Sequence, residues 1–267
     1  MLTVSDLQGL WGRSLIVWPD GRRDEATYVS WLQGPTYYID LRSPSPRPGF
    51  IGTTCLDDLS REQIIWLATQ EGFAGRLRFD GEFFEWQRII DFQPKAIYSD
   101  CGRLWIEAGM MIEEGRDIPY IEHWRRHAQV TPQPCWATRL RDRQSGCDGF
   151  VVRVGSAFMY ARGRTFAPPA GRTLSECVAG AGSLREARVL VDCEVSIGRV
   201  DESGWIVERS SLPFREGSRL GLEISANGAK ASSTDVTASG VSCMRDWDVI
   251  ESEGDIALVN AEAATMP

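Results

Sequence analysis

Short runs of alternating apolar and polar residues, separated by turn residues, dominate this chain. Leu10 to Trp18 is apolar and β-friendly, Pro19-Asp20-Gly21 is a turn in which Gly tolerates positive φ, and Thr27 to Gln33 resumes the alternation. The spacing predicts a hairpin. Tyr37 to Arg42 follows as a third strand, and the proline-rich Ser43 to Pro48 must be a loop because proline donates nothing to a ladder. Between Asp57 and Gly72 the rhythm changes to helical spacing, with Ser60 three residues before Gln63 as a capping box and Gly72 as a stop. Strands then return at Phe73 to Phe79, Phe83 to Phe92, Leu104 to Met111 and Tyr120 to His127.

Val130 to Pro134, aperiodic and with two prolines, divides the chain into units 1–128 and 129–267. The second unit repeats the layout of the first. Cys135 to Arg143 and Gly149 to Arg162 flank a Ser145-Gly146 turn, and Thr173 to Ala181 is the helix. Arg188 to Val200, Trp205 to Arg209 and Leu220 to Ile224 read as strands, Asn227 to Thr234 as a polar loop, and Asp246 to Glu251 as the closing strand. The tail from Asn260 is expected to fray. Eighteen of the twenty-six Phe, Trp and Tyr precede residue 129, so the two interiors differ. Many short strands and little helix predict an all-β sandwich or barrel, and a helix plugging the end of each antiparallel meander fits two tandem barrels, each with a short helix.

Certain pieces of the sequence also resemble known families. Gly9-x-Trp11 resembles the G-x-W with which lipocalins open their barrel. Asp20-Gly21, the W-x-x-G of Trp31 to Gly34, Glu122-x-Trp124, the D-G-F-V-V-x-V-G of Asp148 to Gly155 and the D-W-D-V-I-E of Asp246 to Glu251 form an ordered series. That series is similar to a family of fungal proteins known as interactors of a casein kinase. The resemblance implies two consecutive lipocalin-like, calycin-type barrels, and it brings no catalytic residues with it.

Charge and composition narrow the chemistry. A net charge of −8 disfavours a phosphate backbone or an anionic membrane surface as partner, so neither nucleic acid nor membrane insertion is expected. Two His and two Lys against twenty-seven Arg leave few groups for imidazole or Schiff-base chemistry. His123 and His127 stand four apart on a predicted strand, roughly 13 Å from end to end, too far to share one ion. Seven Cys without a C-x-x-C pair read as free thiols, and with no leader-like start this predicts a cytoplasmic protein. No cofactor motif and no catalytic constellation is present.

What remains is binding. Trp11 and Arg13 share a strand face, as do Trp31 and Gln33, and Trp86 lies on a face with Phe84 and Arg88. Glu122 shares a face with Trp124, where its carboxylate either anchors a ligand in an apolar cavity or pairs with an arginine. Trp11, Arg13, Trp31, Gln33, Trp86, Glu122 and Trp124 are therefore the candidate ligand-binding residues, for a small apolar or amphipathic molecule in the first barrel. The competing class is a protein interaction module whose barrels are filled and whose working surface is outside.

Overall fold

The computed structural model describes residues 2–255. The tail from Asn260 lies outside them. In the first half, β1 (Gly9–Val17) turns through Gly21, whose φ of +84° only glycine adopts easily, and a two-residue β2 (Arg23–Asp24). The chain continues through β3 (Tyr28–Gln33), β4 (Tyr37–Ser43), α1 (Arg61–Leu67), β5 (Glu71–Phe79) and β6 (Phe84–Asp91). It then runs through β7 (Cys101–Glu107), β8 (Met110–Gly115) and β9 (Ile121–Arg126). From β3 onward each strand pairs antiparallel with the one before it, β3 pairing with β1. β9 returns to β1, with Trp11 opposite Arg126 and Val17 opposite Ile121, so an eight-stranded barrel closes.

The second half holds β10 (Cys135–Asp142), β11 (Asp148–Val154), β12 (Ala157–Arg162), α2 (Leu174–Ala179) and α3 (Leu184–Leu190). β13 (Glu194–Asp201), β14 (Gly204–Ser210), β15 (Glu223–Ile224), β16 (Lys230–Val236) and β17 (Ser242–Gly254) complete it. These strands form one curled half-barrel sheet ordered β14-β13-β12-β11-β10-β17-β16-β15. Its rim is bridged by backbone. Leu220 N–H donates to Trp205 O at 2.9 Å, and Leu220 O accepts from Thr234 N–H at 2.9 Å.

The two halves follow one plan. In each, helix is inserted after the third main strand, α1 behind β4 and the α2–α3 pair behind β12, and the last strand pairs with the first. A bulge also recurs at the next strand pair, β6 carrying an extra residue, Ile89, opposite Ala74 and Gly75 of β5, and β14 an extra residue, Glu208, opposite Ile197 and Gly198 of β13. The expected Ser60 cap forms, its Oγ accepting from Gln63 N–H, and Thr173 Oγ1 likewise accepts from Glu176 N–H, each at 3.2 Å.

Four local expectations are corrected. Leu104 to Met111 is a hairpin and not one strand, because Ala108 and Gly109, at φ +49° and +79°, make a two-residue turn. Gly149 to Arg162 likewise folds back at Gly155, φ +56°. Arg188 to Leu190 belong to α3, capped by Ser183 accepting from Glu186 N–H, and the strand starts only at Glu194. Asn227 to Thr234 is half strand, since β16 begins at Lys230 and turns the small or polar Ala231, Ser233 and Asp235 inward.

Three apolar clusters hold the fold. Trp11, Trp31, Tyr38, Phe73, Trp86 and Trp124 belong to the cluster inside the first barrel, and Trp136, Tyr160, Trp205 and Trp247 to that inside the second sheet. The largest cluster joins the halves. Leu32, Ile39, Leu41 and Ala74 from the outer face of the first barrel belong to it together with Ala137, Phe150, Val152, Met159 and Val195. Polar contacts seal its edges, among them Thr36 to Glu253, Tyr37 to Glu251 and Gln70 to the Ser211 carbonyl. No helix among the described residues is long and apolar enough to cross a membrane.

Candidate functional site: the first barrel and the cleft on its flank

Strand alternation carries all seven candidate residues away from solvent, and four of them meet at one place. Trp11 stacks on Trp31 at 6.2 Å, and Trp86 and Trp124 stand edge-on to Trp31 at 5.7 and 5.6 Å. These rings, from β1, β3, β6 and β9, pack against one another in the barrel centre. Gln33 sits at the end of β3, where its amide donates to the carbonyls of Gly34 and Tyr37 and ties down the β3–β4 turn.

Beside the tryptophans lies a layer of buried charge. Glu122, 1% exposed, accepts from Arg13 at 2.5 Å, and Arg42 stands 3.5 Å from the same oxygen. Arg13 also reaches Asp24 at 3.3 Å, and Arg42 binds Asp40 at 2.9 Å. Arg88 bridges Asp91 at 3.0 Å and Asp100 at 2.6 Å. The Arg42 and Arg88 guanidiniums both stand over the Phe73 ring, at 5.1 and 3.6 Å. Of the two readings of Glu122, the arginine pair is therefore the one present in the fold.

Sequence reasoning passed over Glu113. It stands opposite Glu122 across β8 and β9, 3% exposed, and accepts from the Tyr120 hydroxyl at 2.7 Å and from Trp124 Nε1 at 3.0 Å. Burial, then the neighbouring charges of Glu122 and Asp100, holds its carboxyl well above the usual range. The signal was the Met111-x-Glu113 alternation, hidden while Leu104 to Met111 was read as one strand.

Burial also raises Asp40, from 3.8 to about 6, against the pull of Arg42. A carboxyl raised on folding stabilises the fold below its unfolded pKa and loses that contribution as pH climbs through the folded value. Between about pH 4 and pH 7, wild type should therefore lose on the order of 2 kcal/mol relative to Asp40→Asn. Paired urea melts across this range check the result, and parallel pH curves for the two proteins contradict it.

The barrel wall has one weak seam. β6 and β7 pair only at Phe84–Gly102 and Glu85–Cys101, extended by Trp86 N–H donating to Asp100 O at 2.9 Å. Beside this seam opens a cleft of about 1130 Å³ whose far wall comes from residues 146–148 and 163–170 of the second half. Ile89, Ile97, Tyr98, Ile118 and Phe166, all solvent-exposed, line it, together with Trp86, Arg88, Asp91, Asp100 and Tyr120 of the barrel. Of the seven candidate residues only Trp86 lines the cleft.

No protein-family model and no curated protein matches this chain. Among solved structures it is similar to the crystal structure of an uncharacterised protein from Saccharomyces cerevisiae, at a TM-score of 0.48 and 13% identity. That similarity covers 92% of this chain and 98% of the other. None of these comparisons names a lipocalin or a casein-kinase-interacting family; the chain itself is a nearly all-β protein with a closed eight-stranded barrel and a second, curled sheet.

Proposed function

We propose that this protein is a non-catalytic, cytosolic binding protein of two lipocalin-like units, 1–128 and 129–267, that holds a small amphipathic molecule on the flank of its first barrel. The supporting observation is the cleft at the β6–β7 seam, where exposed apolar side chains meet ionised groups of the barrel in a volume near that of ligand pockets. A ligand at the barrel centre would have to displace packed tryptophan rings, whereas the cleft is open. Free thiols at all seven cysteines accord with a reducing compartment.

The test is tryptophan emission titrated with fatty acids, retinoids, alkyl alcohols and alkylamines, beside native mass spectrometry of the protein as purified. A member of the panel is expected to change the emission through Trp86. Ile97→Ser, at a side chain 88% exposed, should weaken that ligand about tenfold or more without altering the melt. If nothing binds and nothing co-purifies, the cleft reading fails. The filled barrel centre would then favour the second reading, a protein interaction module acting through its outer surface.

A further inference from the structure

The β6–β7 seam leaves one end of β7 without a neighbour. β7 pairs with β6 only through Cys101 and Gly102, but with β8 all the way from Gly102 opposite Gly115 to Glu107 opposite Met110. Alternation says which backbone groups face the missing strand. The two-residue turn at Ala108 and Gly109 makes Glu107 and Met110 a hydrogen-bonded pair, so the backbone groups of Arg103, Trp105 and Glu107 point to β8. Those of Leu104 and Ile106 point the other way, as does Asp100 O, which accepts from Trp86 N–H. Among the described residues no backbone group hydrogen-bonds to Leu104 or Ile106. Leu104 packs inward against the barrel cluster, but Trp105 and Ile106, on opposite faces, are 37% and 51% exposed. The end of β7 is therefore open on its edge and on both faces.

A bare edge is a template for another strand, and many natural edges discourage one with charge. Here the charges suit a second copy of the same edge. Arg103 and Glu107 stand at equal spacing on either side of Trp105 and carry opposite signs. A two-fold axis at Trp105 sets Arg103 opposite the partner's Glu107 and Glu107 opposite the partner's Arg103. The same axis sets Leu104 opposite the partner's Ile106, where the free N–H and C=O groups of each exchange both hydrogen bonds. Trp105 then faces the partner's Trp105 in the closer, non-hydrogen-bonded register, as do the charged pairs. In the single chain Arg103 contacts Glu82 and Glu107 accepts from Trp105 Nε1, both on exposed surface and cheap to exchange.

We infer that Arg103 to Glu107 is a self-association edge, through which two copies of this chain join β7 to β7, antiparallel about Trp105. The net charge of −8 on each copy opposes approach only weakly, since physiological salt screens it beyond about 8 Å. The paired surface is small, so the dimer is weak and forms at high concentration. None of these residues lines the cleft, so the inference stands apart from the binding proposal.

Sedimentation velocity in physiological salt, from about 10 to 500 µM, should show monomer passing to dimer. Arg103→Glu and Glu107→Arg each set like charges opposite one another across the axis, so each alone should associate at least about tenfold more weakly than wild type. Mixed in equal amounts the two variants should dimerise as wild type does, because the acids at both positions of one meet the arginines at both positions of the other. Both side chains are exposed, so the melts should not change. Trp105→Cys reads the register without touching the charges. Mild oxidation with glutathione disulfide should link it into a dimer, which wild type, with six of its seven cysteines buried, should not form. A wild type that stays monomeric throughout overturns the inference, as does a mixture that associates no better than its parts. Absence of the cross-link overturns the axis at Trp105.

Discussion

Glu122→Gln should cost about 3 to 5 kcal/mol of folding free energy, because it leaves the Arg13 guanidinium buried without its nearer carboxylate. Arg13 is 6% exposed in its side chain and would keep Asp24, 25% exposed and at 3.3 Å, as the weaker of its two carboxylate partners. Arg42 loses a neighbour as well. The prediction is read from urea or guanidinium melts with unchanged slope. Replacing the pair together, Arg13→Met with Glu122→Leu, should restore much of the loss, since two apolar side chains leave no unmatched charge. A single-variant loss below about 1 kcal/mol would mean that solvent reaches this layer freely.

Gly75→Ala is expected to be comparably severe, about 3 kcal/mol, for a purely steric reason. A Cβ on Gly75 would lie 1.8 Å from the Gln87 carbonyl oxygen and 3.1 Å from Ile89 N, both backbone atoms of β6 that no rotamer change can move aside. The glycine stands opposite a bulge in β6, where Ile89 is the extra residue and the strand bends. A Cβ on Gly198 of β13, opposite the equivalent bulge in β14, would lie 2.0 Å from the Ile206 carbonyl oxygen, so Gly198→Ala should behave alike. Denaturant melts of the two variants check this. A loss in only one of them would show that the duplicated plan does not impose the same constraint on both halves.

Much of the architecture was legible because it is written in local chemistry. The Pro19-Asp20-Gly21 turn, the Ser60 cap and the period-two alternation each have one physical solution. The elements that escaped lack such a signature. Ala108 takes positive φ with nothing in its type to announce it, Val189 and Val191 give the end of α3 a β-like composition, and β16 turns Ser233 and Asp235 inward where apolar residues were sought. Alternation could say that Trp11 shares a strand face with Arg13 and Glu122 one with Trp124, but not which face of Phe83 to Phe92, and so whether Trp86, points inward. It could not say whether the space they enclose is empty, because that depends on how closely four rings from four distant strands approach. The cleft was illegible for a related reason, its walls being brought together from segments some sixty residues apart.

The apolar cluster that joins the halves also has a history during synthesis. When β9 has just closed the first barrel, the outer faces of β3, β4 and β5 still carry Leu32, Ile39, Leu41 and Ala74 without the second-half residues that complete their cluster. The strands that will cover them, β10 to β13, end about 75 residues further on, which at 5–20 residues per second take on the order of 4 to 15 s to emerge. For that interval the first barrel is a closed sheet with an adhesive flank, and a ribosome that stalls there releases a fragment with an exposed apolar patch. Such a fragment is a natural client for chaperones, so the covering half acts as the chain's own delayed shield.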